Sequence, residues 1–380
     1  MIREETTAFE TGGLHHISSI HEDVWHELKE PGAYEWWYFY AVSDDERETL
    51  VVIFLDGFIF SPRYNRAVKK HLRESQRNNI NNHAPQPCNF PAIAISLYRD
   101  ECLAWRAINE YEPNEFAARK DCPECHIGSN NFKLETDAGE RVYRLQLDSP
   151  LRGGRRLQAS LAWSVQEGDF SSCEETGGCN SGSAHVWNLV APKCRVTGTI
   201  SVIGSNGVQR EERQWTGTGY HDHNLDTRWM PATINEWQWG RAHFDDATVV
   251  FYRYSEQGRA NITTRLYLVR NNEVKIYEPQ FAASEWHRHF FGLRYPRTLQ
   301  LDFGAGDAMH SVQIRQQRIV DGSFFYLRFT GEAQLDLGDG KMRRAVIVAE
   351  QLAPRALQWR ALWWLTGMRI GRHERHSFLP

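Results

Sequence analysis

Titratable side chains are concentrated in one eight-residue segment, 219–226, which reads GYHDHNLD. If Asp222 is buried, its carboxyl group keeps its proton to a higher pH, and a protonated carboxyl group can act as a general acid. His221 and His223 are residues of the type that also binds metals. A third interpretation needs no chemistry, because an aspartate can close a turn by accepting hydrogen bonds from backbone amides. The segment therefore fits an acid/base site, a metal site or a polar turn.

The period of a β-strand helps to separate these interpretations. Side chains two positions apart share one face of a strand. Tyr220, Asp222 and Asn224 would then lie on one face, and His221 and His223 on the other. Adjacent residues cannot easily bind one ion, and the sequence shows no obvious carboxylate partner for the two histidines. We therefore expect no metal here, and Asp222 is the candidate proton donor.

Aromatic residues follow the same face rule around this segment. His185 and Trp187 share a face in AHVWN, and Trp237 and Trp239 share one in EWQWGRAH. The chain has 14 tryptophans, and 12% of its residues are aromatic, which favours a cavity lined with rings. Gly219 would leave room for a ligand near the backbone. An apolar pocket with a few placed polar groups is the expected result.

Composition excludes several classes of protein. The net charge of -4 is spread along 380 residues, so no basic field is present to bind nucleic acid. The first thirty residues lack the basic start and apolar stretch of a signal peptide, and no apolar run predicts a membrane span. Seven cysteines is an odd number, which favours free thiols in a reducing compartment. We expect a cytoplasmic protein.

One cysteine motif resembles half of a zinc site. Cys122, Cys125 and His126 occur together in CPECH. Cys173 and Cys179 are too widely spaced to be the second ligand pair of a structural zinc site, and a disulfide between these two is an equally weak alternative. The motif has no assigned role.

The strand signal extends along the whole chain. Aromatic and β-branched runs are separated by short polar turns, which is typical of antiparallel sheets in barrels or sandwiches. We expect an all-β fold of two domains, 1–205 and 206–380. Helices are expected only at 65–79 and at 354–371, where the second would be amphipathic. Such a terminal helix can pack on a barrel as a lid or contact a membrane surface.

Four motifs resemble the carotenoid 1,2-hydratase (hydroxyneurosporene synthase) family of the lipocalin-like superfamily. They occur in the family's order between about residues 30 and 372, and they read YEWWYFYAVSDDE with IFLDGFIFSPRY, HVWNLVAPKCRV, WTGTGYHDHNLD with EWQWGRA, and LQWRALWWLTGMRIGR. The connector after SPRY is longer here than is usual in the family, which leaves the choice of substrate more open than the chemistry.

The resemblance implies two lipocalin-like β domains with the site between them. It also implies addition of water to the terminal double bond of an acyclic carotenoid, without a cofactor. Asp222 would be the acid and Tyr220 its partner, with His185 and Trp187 as the other catalytic residues. The expected substrate-binding residues are Trp37, Tyr38, Asp56, Asn224, Trp237 and Trp239.

Two alternatives remain at this stage. The same proton-donating pocket could serve a terpene cyclase or pericyclase, if water is excluded from the cation. A lipocalin-like pocket could also bind a lipid without turnover. The hydratase, the cyclase and the lipid-binding protein would all bind a hydrophobic polyprenoid ligand. All three functions also allow peripheral contact with a membrane.

Overall fold

A computed structural model describes residues 13–77, 84–170, 184–304, 309–372 and 377–379. Strands dominate, and they form two curled half-barrel sheets, which confirms the all-β prediction. The first sheet contains β1 (Leu14–Ile17), β2 (Tyr34–Ser43), β3 (Glu48–Asp56), β4 (Ala92–Arg99), β5 (Cys102–Glu110), β6 (Phe116–Ala118), β7 (Glu124–Ile127), β8 (Asn130–Asp137), β9 (Glu140–Pro150), β10 (Arg156–Glu167), β11 (His185–Ile203) and β12 (Gln209–Asp226).

The second sheet is built from the next nine strands of the chain. They are β13 (Ile234–Phe244), β14 (Ala247–Glu256), β15 (Ile262–Arg270), β16 (Glu273–Tyr277), β17 (Gln280–Arg288), β18 (Arg294–Phe303), β19 (His310–Gly322), β20 (Tyr326–Asp336) and β21 (Met342–Leu352). A last short strand, β22 (Gly371–Arg372), returns to the first sheet and pairs with β5.

Strand pairing is antiparallel throughout the described residues, except where β1 pairs with β11 and β22 with β5. The order in the first sheet places β2 beside β12 and β12 beside β11. The three strands that carry the predicted motifs are therefore neighbours. Their side chains on one face all point toward the second sheet.

The aromatic run in β2 forms a strand that is buried on both faces. Residues 34–41 are all buried. Trp37 packs inside the first sheet, whereas Trp36 and Tyr38 pack in the apolar cluster between the two sheets. A strand covered on both sides has no need of polar residues at alternate positions, which explains its continuous apolar sequence.

The predicted boundary at 205/206 is corrected by the pairing of β12. This strand is hydrogen-bonded to β11 and β2 in the first sheet. The sheets therefore divide between Asp226 and Ile234, and the turn at 204–208 is a hairpin within the first sheet. A polar turn marks the end of a strand but does not show whether the chain reverses into the same sheet.

The two predicted helices have different outcomes. The first is present as α1 (Pro62–Ser75), which begins at an N-cap, Ser61. The second is not one continuous helix. It is divided into 3₁₀ turns at Pro354–Gln358 and Arg360–Leu362 and the short α3 (Trp363–Gly367). A further short helix, α2 (Met230–Thr233), connects the sheets.

The CPECH segment does not bring its side chains together. Cys125 is buried in β7, whereas His126 on the same strand is exposed, so the two point to opposite faces. They cannot bind a common ion. Cys173 and Cys179 lie outside the described residues. The described cysteines are free thiols: Cys88, Cys102, Cys122, Cys125 and Cys194.

Candidate active site

Asp222 lies within β12, with its side chain directed between the sheets. The Tyr220 hydroxyl donates to Asp222 Oδ2 at 2.6 Å, and Trp187 Nε1 donates to the same oxygen at 3.0 Å. Asn224 Nδ2 donates to Oδ1 at 2.8 Å. Trp239 Nε1 in turn donates to the Tyr220 hydroxyl at 3.3 Å. Side chains rather than backbone amides hold Asp222, so the interpretation as a polar turn is wrong.

Burial dominates the electrostatics of this carboxyl group. Asp222 is 5% exposed. Burial raises its pKa to about 6, although the hydrogen bonds from Tyr220 and Trp187 act in the opposite direction. A carboxyl group with this pKa keeps a proton in mildly acidic solution and regains one readily near neutrality, as a general acid must.

His185 is a neutral side chain at the start of β11. The Tyr34 hydroxyl lies 3.0 Å from its Nδ1, and the Tyr252 hydroxyl lies 3.0 Å from its Nε2. Complete burial lowers the pKa of His185 to about 3. One ring nitrogen must therefore donate while the other accepts. Asn224 interacts with His185 as well as with Asp222, which links the histidine to the acid.

An apolar cavity of about 200 Å³ lies between the sheets beside this network. Trp36 and Tyr38 line it from the first sheet, and Trp237 lines it from the second. Tyr38 is the cross-strand partner of Asp222, and its ring lies 6.3 Å from that of Tyr220. The cavity thus ends against the rings that surround the acid.

Most of the predicted site residues meet in this one region. Those between the sheets are Asp222, Tyr220, His185, Trp187, Asn224, Tyr38, Trp237 and Trp239. Trp37 and Asp56 lie instead inside the first sheet, where Asp56 accepts a hydrogen bond from Trp25 Nε1 at 2.7 Å. Neither lines the cavity, and neither do Asn224 and Trp239, so substrate binding by these four residues stays a prediction. Strand alternation turns Trp37 away from its neighbour Tyr38.

The space beside Gly219 is filled by the protein itself. A β-carbon at this position would lie 2.6 Å from Trp163 Nε1 and 2.4 Å from Val196 Cγ2. The glycine therefore lets the side chains of Trp163 and Val196 pack directly against the β12 backbone inside the first sheet. It does not open room for a ligand.

The opposite face of β12 holds a buried ion-pair network. His221 Nε2 lies 2.9 Å from Asp23 Oδ2, and His223 Nε2 lies 2.9 Å from Glu35 Oε1. His223 Nδ1 is 3.3 Å from Asp23 Oδ1. Although burial acts against the cation, the two carboxylates raise the pKa of His223 to about 9. The expectation that these histidines have no carboxylate partner was wrong.

Three side chains of this network lie close enough to share an ion. His26, Glu35 and His223 each offer one ligand atom, and these atoms are within 4.8 Å of one another. Glu35 Oε1 lies 2.9 Å from both His26 Nδ1 and His223 Nε2. In this structure the contacts are those of an ion-pair network, with His223 between Asp23 and Glu35. It attaches the N-terminal segment to β2 and β12.

The sequence analysis missed a charged pair that lines the cavity. Arg328 NH2 lies 2.8 Å from Glu350 Oε1, and the Tyr38 hydroxyl donates to the same oxygen at 2.9 Å. A signal was present in VIVAEQL, because alternation places Glu350 on the same face as the core residues Val348 and Leu352. A charged residue on an apolar face is seldom buried without a partner.

Solved structures with the same architecture show which class of fold this is. A protein described as AttH from Nitrosomonas europaea matches with a TM-score of 0.57 at 14% identity, over 88% of this chain and 95% of that one. The protein CghA, solved with Sch210972, matches with a TM-score of 0.56 at 10% identity, over 89% and 97%. These likenesses establish a lipocalin-like fold of two sheets.

Sequence comparisons then give the family. The family described as carotenoid hydratase CrtC matches residues 173–378, which include Asp222 and His185. The hydroxyneurosporene dehydrogenase of Chlorobaculum tepidum is 27% identical over 94% of this chain and 92% of its own length. Acyclic carotenoid 1,2-hydratases of Thiocapsa roseopersicina and Rubrivivax gelatinosus are 25% and 28% identical, over 66% and 64% of this chain. The match spans 54% of each of these two hydratases.

The chain belongs to the carotenoid hydratase family CrtC. The carotenoid 1,2-hydratase relatives indicate a hydro-lyase, and this confirms the enzyme class predicted from the sequence.

Proposed function

We propose that the protein adds water to a terminal double bond of an acyclic carotenoid or related polyprenoid, with Asp222 as the proton donor. The observation that carries the proposal is a buried carboxyl group with a raised pKa, held by three side-chain donors beside an apolar cavity. Family membership favours hydration over cyclisation and over lipid binding without turnover.

The reaction begins with transfer of the Asp222 proton to the less substituted carbon of the alkene. The π electrons form the new C–H bond and leave a tertiary cation on the neighbouring carbon. A water oxygen then bonds to that carbon, and the proton lost from the water returns to the Asp222 carboxylate. The enzyme ends in its starting protonation state, and the product is a tertiary alcohol.

The aromatic side chains divide into two roles. Trp187 and Trp239 direct their indole N–H groups at Asp222 and Tyr220, so they orient the acid. Trp36 and Trp237 line the cavity, with ring centroids 6.0 Å apart. The ring face of each of these two tryptophans can stabilise the cation by up to roughly 2 kcal/mol when the site is desolvated.

His185 assists in the neutral form. Its low pKa keeps a positive charge away from the developing carbocation, which a protonated imidazole would repel. His185 also bonds to Asn224, and Asn224 donates to Asp222 Oδ1, the carboxyl oxygen that Tyr220 does not contact. His185 therefore helps to fix the orientation of the carboxyl group. It is a positioning residue in this scheme.

Incubation of lycopene or neurosporene with the protein tests the proposal directly. In deuterium oxide the product should gain one deuterium on carbon and one hydroxyl group, as mass spectrometry can show. A cyclic product of unchanged composition would favour the cyclase alternative. Recovery of unchanged substrate after long incubation would favour a binding protein.

Contact with a membrane surface is part of the same proposal, because the substrate dissolves in lipid. Trp359 and Trp364 are 63% and 60% exposed on the C-terminal segment, and residues of the same segment, such as Leu365 and Ile370, line the cavity. Tryptophan is favoured at the interface between lipid and water. The cavity would then lie next to the bilayer that holds the substrate.

Basic residues surround these exposed tryptophans. Lys69 of α1 donates to the Gln358 carbonyl at 2.6 Å, which joins α1 to the C-terminal segment. The exposed cations of the two segments are Arg66, Lys70, Arg73, Arg77, Arg355 and Arg360. Their charge would favour an anionic lipid surface. None of the helices in the described part of the chain is long and apolar enough to cross a bilayer, so such contact would be peripheral.

A further inference from the structure

One wall of the cavity is polar, and the hydration scheme does not use it. Arg106 NH2 lies 2.6 Å from Asp321 Oδ2, and Arg369 NH1 lies 3.5 Å from Asp321 Oδ1. Arg328 pairs with Glu350 as described above. All five side chains line the cavity. Three guanidinium groups face two carboxylates, so this wall carries an excess of one positive charge.

Two hydroxyl groups on the same cavity have no hydrogen-bond partner among the described residues. They are the buried oxygen atoms of Tyr326 and Thr366, and both residues line the cavity. Tyr326 lies beside the polar wall, since the Arg328 guanidinium is 5.6 Å from its ring centroid. Thr366 belongs to the C-terminal segment, three residues before Arg369. Tyr326 and Thr366 therefore present hydroxyl donors to the cavity from two different elements.

A buried hydroxyl group without a partner is costly, and native proteins satisfy the great majority of such groups. A ligand made only of carbon and hydrogen would leave both hydroxyls unsatisfied. It would also have to cover a charged wall with hydrocarbon. An oxygen-bearing group at the end of the ligand would offer an acceptor to Tyr326 or Thr366 and would lie in the field of the arginines.

We infer that the polar wall of the cavity binds an oxygen-bearing terminus of the substrate. The inference rests on the proposed function and deepens its substrate class: among polyprenoid chains with a terminal double bond, those that also carry a hydroxyl, carbonyl or carboxylate group should bind more tightly than the pure hydrocarbons. Tyr326 and Thr366 are the donors that select it. The apolar rings of Trp36, Trp237 and Phe325 contact the rest of the chain.

Binding of matched ligands without turnover tests the inference. Farnesene, farnesol and farnesoate share one carbon skeleton, and quenching of the cavity tryptophans reports their binding. We expect farnesol or farnesoate to bind about ten-fold more tightly than farnesene, the value of one well-made hydrogen bond. Tyr326→Phe should remove most of this preference and leave farnesene binding unchanged.

Two further variants make the test specific. Thr366→Val should likewise weaken the binding of farnesol and farnesoate and leave the binding of farnesene unchanged. Tyr277→Phe is the matched control, because Tyr277 packs against the core inside the second sheet and does not line the cavity. Tyr326→Phe should keep or slightly raise the thermal midpoint, since it removes a hydroxyl that has no partner in the protein.

The outcomes separate the two forms of terminus. Preference for farnesol indicates a neutral terminus, and preference for farnesoate indicates an anionic one that balances the excess positive charge. Equal affinities for all three ligands, or a preference that survives both substitutions, would overturn the inference. A protein that prefers farnesol but hydrates no carotenoid would refute the proposed function and leave this inference standing.

Discussion

Asp222 sets the pH dependence that we expect for activity. Only the protonated carboxyl group can start the reaction, and burial places its pKa at about 6. Turnover should be highest below this pH and should fall about ten-fold for each further pH unit above it. Initial rates on a solubilised carotenoid between mildly acidic and alkaline pH give the profile. A rate that rises through neutrality would mean that the ionised form is active.

Tyr220 should affect the same profile in a distinct way. Its hydroxyl donates to Asp222 and lowers the carboxyl pKa. Tyr220→Phe should therefore move the decline in activity to higher pH, while the maximal rate falls by about ten-fold or less, because the acid itself is retained. Tyr277→Phe, away from the site, should leave the profile unchanged. A profile that moves to lower pH in Tyr220→Phe would contradict the assigned role.

Sequence reasoning reached part of the site because that part is local. Tyr220, Asp222 and Asn224 are separated by the period of one strand, and this period alone places them on one face. Asp23 and Glu35 were missed as partners of His223 because they are 200 and 188 positions away in the chain. No local pattern connects such residues, and only the strand order brings them together.

Among the elements, the N-terminal segment depends on the ion-pair network behind β12. Asp23 is fully buried, and although burial opposes ionisation, His221 and His223 hold its pKa at about 2. Asp23→Ala leaves a buried imidazolium without one of its carboxylates, which should lower the free energy of unfolding by about 3–5 kcal/mol. Chemical denaturation at neutral pH measures the change. The exposed Asp121→Ala is the control.

Loss of stability should not be confused with loss of chemistry in this variant. Asp23 lies on the opposite face of β12 from Asp222, so the rate per folded molecule should be nearly unchanged. A stable Asp23→Ala protein with little activity would instead assign the network a direct part in catalysis.

The C-terminal segment carries the prediction of membrane contact. Flotation with vesicles rich in anionic lipid should carry the protein upward. The double substitution of Trp359 and Trp364 by serine should weaken binding about ten-fold, because two interfacial anchors are lost. Val208→Ser, an exposed apolar residue in the turn between β11 and β12, is the matched control. Wild-type protein that stays wholly in the soluble fraction would rule the contact out.

This segment also shows why the second helix was predicted in the wrong form. Its apolar residues recur at helical spacing, but its tertiary contacts divide it. Trp363 Nε1 donates to the Leu357 carbonyl at 2.7 Å, and Lys69 occupies the Gln358 carbonyl. These carbonyls are then directed away from a regular helical ladder. Packing against α1 has overridden a local pattern, as it often does.

At the scale of the whole molecule, the cavity exists because two half-barrel sheets pack face to face. The first sheet supplies Tyr38 and Arg106, and the second supplies Glu350 and Asp321, which pair with them across the interface. The sequence predicted two β-rich halves and an apolar pocket between them. It did not predict the polar wall, because Arg106 and Asp321 come from different sheets and Arg328 and Glu350 from neighbouring strands of the second sheet. No local pattern in the sequence connects the members of either pair.

The substitution Asp222→Asn tests the central claim most directly. The amide is nearly isosteric, so the thermal midpoint should be retained, but the acidic proton is lost. Single-turnover rate and thermal midpoint should be measured on the same preparation with lycopene or neurosporene. We predict a rate reduced by about 10² to 10⁴-fold in a folded protein, the usual contribution of a positioned general acid. A folded Asp222→Asn protein with a rate near that of the wild type would contradict the account and remove Asp222 from the mechanism.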